Sequence, residues 1–280
     1  MLKKRDLIKN LLSKHQDCII CPICNSNIEI VNYSLKCLNN HNFDISKKGN
    51  IILYRTSKIK EDKIYDTELF VNRRRFILEG FYYQMHNIVS KLINDNFQTE
   101  AVILDMGCGE GTHDILIREK LKLESKIIGI DLSKSAIELS TDYAYDNFIP
   151  ILSDLNRLPI ADNTIDVILN ILSPSNAAEM KRVLKENGVI IKVTPHTDYL
   201  KELRELSNMS EYSNESQLEE NIKSNFEVIK KHEIYKIYDL KISDFTLLSK
   251  MTPLLKNKEI KENTKKITIA LNIFLLKPKK

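Results

Sequence analysis

The sequence lacks any run of about 18 consecutive apolar residues, roughly the shortest apolar helix that spans a bilayer. We therefore expect no membrane-spanning segment. The basic stretch Met1–Arg5 could begin a secretion signal, but polar residues at positions 9, 10 and 14 interrupt the apolar core that a signal needs. This pattern predicts a cytoplasmic protein that contacts no membrane.

Glycine is scarce, with only seven in 280 residues, and tryptophan is absent. Three of the glycines nevertheless fall within five residues, at Gly107, Gly109 and Gly111, shortly after the apolar run Ala101–Leu104. An uninterrupted run with β-branched residues is typical of a strand that is covered on both faces in a parallel sheet. Glycines after such a strand permit positive φ angles and let a ligand approach the backbone. The stretch predicts a buried strand that ends in a ligand-binding turn.

The glycine spacing distinguishes two nucleotide-type ligands. A dinucleotide fold requires G-x-G-x-x-G, but counting from Gly107 the last position falls on Thr112. The sequence instead has Asp-x-Gly-x-Gly-x-Gly beginning at Asp105, and a second apolar strand ends in Asp131, twenty-six residues later. This combination resembles the S-adenosylmethionine (SAM) site of class I methyltransferases, in which the second acid accepts both ribose hydroxyls. An ordinary glycine-rich turn in another α/β protein is the alternative.

Beyond residue 62 the chain alternates apolar strands with helical segments, which predicts an α/β fold. We expect a Rossmann-like, class I SAM-dependent methyltransferase domain at 63–280 with a seven-stranded, mostly parallel sheet. Its helical lead-in at 63–98 is interrupted by Gly80. Residues 1–62 are expected to form a basic segment with a small zinc-binding domain.

The zinc site is predicted from cysteine spacing. The chain has five cysteines, and three of them join a histidine in the pattern Cys-x2-Cys followed by Cys-x3-His, at Cys21, Cys24, Cys37 and His41. Structural zinc prefers four tetrahedral nitrogen and sulfur ligands. A segment of fewer than about 40 residues buries too little surface to fold alone, so bound metal would supply the missing stability. Cys18-x2-Cys21 offers a competing register.

The net charge of +4 is unevenly distributed. Residues 1–60 contain eleven Lys/Arg and four Asp/Glu and so carry +7, which leaves −3 on the rest of the chain. A basic segment of this kind favours a polyanion such as RNA, although a solvated lysine-rich surface explains the charge equally well. The candidate RNA contacts are Lys47, Lys48, Arg55, Arg73 and Arg74.

Further candidate site residues follow the third and fourth predicted strands of the larger domain, at the sheet edge where ligands bind in open α/β folds. Asp154 and Leu155 follow the third strand. They resemble the SAM-enzyme pair in which the acid meets the adenine amino group and the next backbone NH meets a ring nitrogen. Asn170 and Ser173 follow the fourth strand and are candidates for hydrogen bonds to a substrate base, with a structural role in the turn as the alternative.

Over nearly its whole length the chain resembles RlmA-type methyltransferases of the large ribosomal RNA, in the form found in Gram-positive bacteria. The resemblance rests on the Cys21/Cys24/Cys37/His41 finger followed by Asn42-Phe43-Asp44, Arg73-Arg74-x-Phe76-x3-Gly80-x-Tyr82, the Asp105–Gly111 loop, Ser173-Pro174 and Met251-Thr252-Pro253. It implies methyl transfer from SAM to N1 of a guanine in a hairpin loop of 23S ribosomal RNA. It also implies SAM contacts from Tyr82, Gly109, Glu110 and Tyr199, the last at a position where the family also has histidine.

Two other functions stay open. A SAM-dependent methyltransferase of a small molecule or a tRNA would use the finger only as a folding or dimerisation module, so a homodimer is among the expectations. A catalytically inactive SAM-fold module that binds RNA would need a damaged cofactor site, and the intact Asp105, Asp131 and Asp154 disfavour it. The sequence identifies no residue as the general base for guanine N1.

Overall fold

The computed structural model of the protein describes residues 3–54, 65–207, 215–252 and 264–279. Within those ranges the chain folds into a three-stranded sheet near the N-terminus and an eight-stranded sheet with helices between its strands. None of the helices in the described ranges has the length and apolar character that crossing a bilayer requires.

The N-terminal part begins with helix α1 (Lys4–Ser13) and continues as a small antiparallel sheet. Its strands are β1 (Ile28–Val31), β2 (Ser34–Cys37) and β3 (Asn42–Asp44), paired in chain order. The two-residue strand β4 (Ile51–Ile52) then leaves this sheet and joins the larger one.

The larger sheet is the α/β core that the sequence predicts. Its other strands are β5 (Glu100–Met106), β6 (Glu124–Asp131), β7 (Phe148–Leu152), β8 (Ile165–Ile171), β9 (Leu184–Pro195), β10 (Phe226–Asp239) and β11 (Lys266–Pro278). They lie in the order β10-β11-β9-β8-β5-β6-β7-β4, parallel from β9 to β4, with β10 and β11 antiparallel at the other edge. The seven expected strands are therefore present, and β4 adds an eighth.

Helices connect these strands and cover the sheet. They are α2 (Thr67–Leu78), α3 (Tyr83–Asn96), α4 (Thr112–Arg118), α5 (Lys134–Ser140), α6 (Ala177–Val183), α7 (Lys201–Leu206), α8 (Glu215–Asn225) and α9 (Ile242–Met251). The predicted break in the helical lead-in is confirmed, because Gly80 adopts a φ of +89° between α2 and α3. The Ser133 hydroxyl accepts a hydrogen bond from the Ala136 NH and caps α5, as its position before the helix predicts.

The small N-terminal sheet shares a hydrophobic core with the larger one. Strand β4 pairs in parallel with β7, and the Ser153 hydroxyl donates a hydrogen bond to the Leu53 carbonyl. Ile19 forms a β-bridge with Ile160, and both are buried in one cluster with Ile151. The larger sheet therefore supplies much of the buried surface that a segment of this size cannot generate alone.

Candidate active site and metal centre

The glycine loop between β5 and α4 touches the turn that follows β8. Gly107 has a φ of +89°, a conformation that residues with a Cβ rarely adopt. A Cβ atom at this position would also clash with the Ser173 hydroxyl. The Gly107 NH donates to the Ile130 carbonyl at 2.8 Å, which ties the loop to β6. Glycine is thus required here by both backbone conformation and space.

Asp131, at the end of β6, holds the loop from the other side. Its carboxylate accepts hydrogen bonds from the Gly109 NH at 2.9 Å and the Ser133 NH at 2.8 Å. Burial raises the pKa of this carboxyl group, while the two NH donors oppose that shift. An acid presented at the carboxyl end of the strand next to a glycine loop fits the ribose hydroxyls of SAM.

Two buried acids, Asp105 and Asp114 on α4, lie beneath the loop with their carboxyl groups within hydrogen-bond reach of each other. Asp105 is 2% exposed and Asp114 is fully buried. Burial raises the pKa of Asp105 to about 7 and that of Asp114 well above its usual value. A pair of buried carboxyl groups at a ligand loop has acceptor oxygens that fit a cationic group, such as the amino group of SAM.

Asp114 was not predicted as a site residue. It precedes Ile117 by three positions, so helical spacing alone places it on the buried face of α4. That spacing was the available signal in the sequence.

Helix α2 covers the glycine loop. The Phe70 ring would lie 3.7 Å from a Cβ at Gly109, which puts it in contact with the loop. Arg74 donates to the Glu110 carboxylate at 3.0 Å and to the Asp142 carboxylate at 3.0 Å. Glu110 is 2% exposed and also accepts from Thr112. The Glu110 side chain therefore fastens α2 to the loop.

Tyr82 and Tyr199, both predicted to contact SAM, lie together. Their hydroxyl oxygens are 2.7 Å apart, and burial raises the pKa of each phenol. The Tyr82 and His113 rings are perpendicular with their centroids 5.0 Å apart, and Nδ1 of His113 is 2.9 Å from Nε2 of His86. Burial lowers the pKa of both histidines, to about 4 for His86, so both imidazole rings are neutral near pH 7.

The predicted adenine-binding pair lies in the turn that follows β7. The Asp154 carboxylate accepts hydrogen bonds from the backbone and side-chain nitrogens of Asn156, at 2.9 and 3.1 Å. The Leu155 side chain reaches within 3.7 Å of the Cβ position at Gly107. The turn after β7 thus brings Leu155 to the glycine loop, and the role of the pair in binding adenine stays a prediction.

Asn170, at the end of β8, has a structural role in its turn. It is fully buried, and its amide donates to the carbonyls of Met106 and Pro174 at 2.7 and 3.0 Å. Its side-chain oxygen accepts from the Lys192 ammonium. Within this turn Leu172 adopts a φ of +51°, a strained conformation for a branched side chain. Such strain at the carboxyl edge of the sheet is typical of functional turns.

The candidate RNA contacts differ in solvent exposure and in bonding partners. Lys47 and Lys48 are exposed on the N-terminal part, and Lys48 forms a surface ion pair with Glu138 at 3.1 Å. Arg73 is half-buried, with its guanidinium 5.2 Å from the Phe70 ring centroid and a hydrogen bond to the Met251 carbonyl. The guanidinium of Arg74 is engaged by the acids described above. Arg55 lies outside the described residues.

The predicted zinc ligands converge on one point. The three thiol sulfurs and the histidine nitrogen lie within 4.8 Å of one another, at Cys21, Cys24, Cys37 and His41. Cys24 and Cys37 have their sulfurs 3.7 Å apart, close to the roughly 3.8 Å edge of a tetrahedron with zinc–sulfur bonds of about 2.3 Å. The spacing and the Cys3His donor set fit a structural zinc ion, and the competing register through Cys18 is wrong.

Comparison with known proteins identifies two families along the chain. Residues 98–259 match the methyltransferase domain family, and residues 19–54 match the N-terminal zinc ribbon of RlmA. The two matches cover the glycine loop and the cysteine cluster respectively.

Two curated relatives align with about two thirds of the chain. One, from Bacillus subtilis (strain 168), is the putative 23S rRNA (guanine-N(1)-)-methyltransferase YxjB; it is 39% identical over 192 residues, which cover 66% of this chain and 67% of the relative. Another, the 23S rRNA (guanine(748)-N(1))-methyltransferase of Streptomyces fradiae, is 26% identical over 187 residues, covering 65% of each chain.

Replacing Asp131 with alanine should weaken SAM binding by roughly 1–3 kcal/mol, because the ribose hydroxyls would lose their acceptor. Isothermal titration calorimetry measures the change. Asp95→Ala, which removes an exposed carboxylate that bonds Lys91 on α3, is the matched control and should bind SAM normally. Unchanged affinity in the Asp131 variant would remove this residue from the cofactor site.

The affinity for SAM should rise as the pH increases from about 5 to about 7. Burial raises the pKa of Asp105 in the free protein, and a bound cationic group would lower it again, so binding in this range releases a proton. Calorimetry in buffers of different ionisation enthalpy measures that proton. Asp105→Asn should flatten the dependence, and an equally steep dependence in this variant would contradict the assignment.

The double variant Cys24→Ser/Cys37→Ser should lose bound zinc and unfold at a lower temperature, because the ribbon shares its core with the larger sheet. Elemental analysis and thermal unfolding provide the two readouts. Cys18→Ser, which changes a buried thiol outside the ligand set, should retain one zinc ion per chain. A double variant with full zinc content would contradict the site.

Proposed function

This chain belongs to the methyltransferase domain family and carries the RlmA zinc ribbon, and we propose that it transfers the methyl group of SAM to N1 of a guanine in a hairpin loop of 23S ribosomal RNA. One observation carries the proposal: the ribbon and an intact cofactor loop occur in one chain that is 39% identical to a relative named for this reaction. Small-molecule methylation would leave the basic ribbon without a role in catalysis.

The protein side of the cofactor site is built from residues described above. Asp131 would hold the ribose, the turn at Asp154–Leu155 would hold the adenine, and the carboxyl group of Asp105 would face the cationic methionine end. SAM supplies an electrophilic methyl group on a positively charged sulfur. The site's contribution is therefore to orient that group and to exclude competing nucleophiles.

The target atom sets two requirements. Guanine N1 carries a proton at neutral pH, so it must be aligned with the methyl group and relieved of that proton. A guanine in an RNA loop can leave its stack, which lets the base reach an atom buried at a sheet edge. The strained turn at 170–174 lies directly against Gly107, so a base resting on this turn lies next to the cofactor loop.

The zinc ribbon provides the surface for RNA. Its fold presents Lys47 and Lys48 to solvent in the turn before β4, and β4 fixes this turn to the edge of the larger sheet. Lysines at this place can bind phosphates without carrying sequence information. We infer that the ribbon positions the RNA while the turn after β8 receives the base.

Methyl transfer to 23S ribosomal RNA that lacks the native modification tests this function. Labelled SAM should yield 1-methylguanosine at one position, identified by mass spectrometry of nuclease fragments. The Asp131→Ala variant serves as the cofactor-site control. Label in a small molecule, in a tRNA, or at another guanine atom would contradict the proposal.

Replacing Lys47 and Lys48 with alanine should weaken RNA binding and reduce its salt dependence. Each lost phosphate contact removes about 0.7–0.9 from the slope of log K against log salt, so two contacts account for roughly 1.5. Filter binding across a salt series measures the slope, and SAM affinity should stay unchanged.

The double variant Lys91→Ala/Lys223→Ala is the matched control, because it removes two exposed, ion-paired lysines from α3 and α8. Its slope should equal that of the wild type. If the Lys47/Lys48 variant also keeps the wild-type slope, the ribbon surface does not bind the RNA.

A further inference from the structure

Lys192 is a charged residue in the middle of an apolar central strand. It follows Val189, Ile190 and Ile191 on β9 and is only 6% exposed. In the sheet it pairs with Asn170 on β8 and with Phe274 on β11. A lysine in this setting costs free energy unless its charge is paired or used.

The hydrogen-bond partners of Lys192 are neutral. Its Nζ donates to the Asn170 side-chain oxygen and lies 3.5 Å from the Ser173 carbonyl oxygen. Across the described parts of the chain, no acidic side chain forms an ion pair with it. Burial lowers the pKa of Lys192 to about 8, so the neutral amine is accessible near physiological pH. Two donated hydrogen bonds leave the third site on the nitrogen for a ligand.

The position of Lys192 places this nitrogen at the substrate edge of the site. Ser173, whose carbonyl it approaches, packs its hydroxyl against Gly107 of the cofactor loop. Asn170, its other partner, bonds the Met106 carbonyl immediately before that loop. Each of the two residues that the amine contacts therefore also contacts the cofactor loop or the residue just before it.

We propose that Lys192 is the general base that accepts the N1 proton of the guanine during methyl transfer. The proposal rests on the function inferred above. It assigns a catalytic role to a residue that the glycine-loop and zinc motifs do not include.

The step balances in atoms and charge. The N1 electron pair forms the new bond to the methyl carbon, and the carbon–sulfur bond breaks with its electron pair going to sulfur. The N1 proton passes to the neutral amine of Lys192 and later to solvent. The sulfonium loses its positive charge as Lys192 gains one, so the net charge of the buried site does not change.

The positive charge of the sulfonium also favours the form of Lys192 that can accept a proton. A sulfonium bound near the amine disfavours a second positive charge, so SAM binding favours the neutral form of Lys192. The hydrogen-bond partners of the amine are the Asn170 amide and the Ser173 carbonyl, and burial alone accounts for its lowered pKa. None of these neighbours competes for the N1 proton.

The variants Lys192→Ala and Lys192→Arg test the proposal on the full-length protein with 23S ribosomal RNA. Arginine keeps a cation and hydrogen-bond donors but cannot act as a base near neutral pH. Both variants should lower kcat by roughly 100-fold or more, the usual contribution of a general base, while SAM affinity changes less than about threefold. Lys185→Ala, at the other end of β9 in an ion pair with Asp166, should keep wild-type kcat.

Chemical rescue separates a base from a structural residue. Ethylamine added to Lys192→Ala should restore part of the activity in proportion to its neutral form, and it should do nothing for Lys192→Arg, whose side chain fills the space. A loss of SAM affinity would show that the alanine variant folds poorly. In that case the kcat of the arginine variant alone tests whether Lys192 is the base.

The experiment distinguishes failure of the Lys192 assignment from failure of the proposed function. Wild-type formation of 1-methylguanosine together with a fully active Lys192→Arg variant would overturn the role of Lys192 and leave the proposed function standing. A wild-type protein that places no methyl group on guanine N1 would contradict the proposed function itself.

Discussion

The site depends on the close contact between Gly107 and the turn that follows β8. Because residue 107 has no side chain, Ser173 can rest on the cofactor loop, and a Cβ there would force the two apart. Asn170 reinforces the contact by bonding the backbone on both sides, at Met106 and Pro174. The cofactor loop and the turn after β8 therefore form one unit.

Parallel packing of β5 and β8 makes this contact possible. Adjacent parallel strands end at the same edge of the sheet, so the loop after one and the turn after the other meet without a long connection. The strained positive φ conformation of Leu172 is stabilised by a hydrogen bond from the Leu172 NH to the Val193 carbonyl on β9. Together with the hydrogen bond from Asn170 to the Pro174 carbonyl, this contact anchors the strained backbone on both sides.

The zinc ribbon is built onto the same framework. Strand β4 extends the sheet beyond β7, and Arg157 donates to the Asn25 side chain in the ribbon. Residues 18–20 also exchange backbone hydrogen bonds with 159–161. These contacts fix the orientation of the ribbon relative to the cofactor loop, as the proposed role of the ribbon in positioning RNA requires.

Local motifs allowed much of this to be predicted from the sequence. The Cys3His spacing and the Asp105–Gly111 loop each specify their own geometry, and the structure brings their members together as expected. The pairing of β4 with β7 could not be predicted, because a two-residue strand carries no signal that identifies its partner and the pairing depends on the edge of β7 that β6 leaves unpaired.

Side-chain environments were harder to predict than elements. Lys192 stands out only when β8 and β9 are aligned, because its partner Asn170 lies 22 positions away along the chain. Arg74 likewise looked like an RNA contact, and only the folded arrangement shows Glu110 and Asp142 against its guanidinium. Such partnerships are set by tertiary packing, which sequence spacing does not encode.

A structure of the protein with S-adenosylhomocysteine and a guanine-containing 23S hairpin tests the central claim most directly. The account predicts the cofactor product along Gly107–Gly111 and an unstacked guanine against the turn at 170–174, with its N1 edge toward the sulfur. It also predicts RNA phosphates on the ribbon. A guanine bound away from this turn, or an RNA that does not touch the ribbon, would contradict the account.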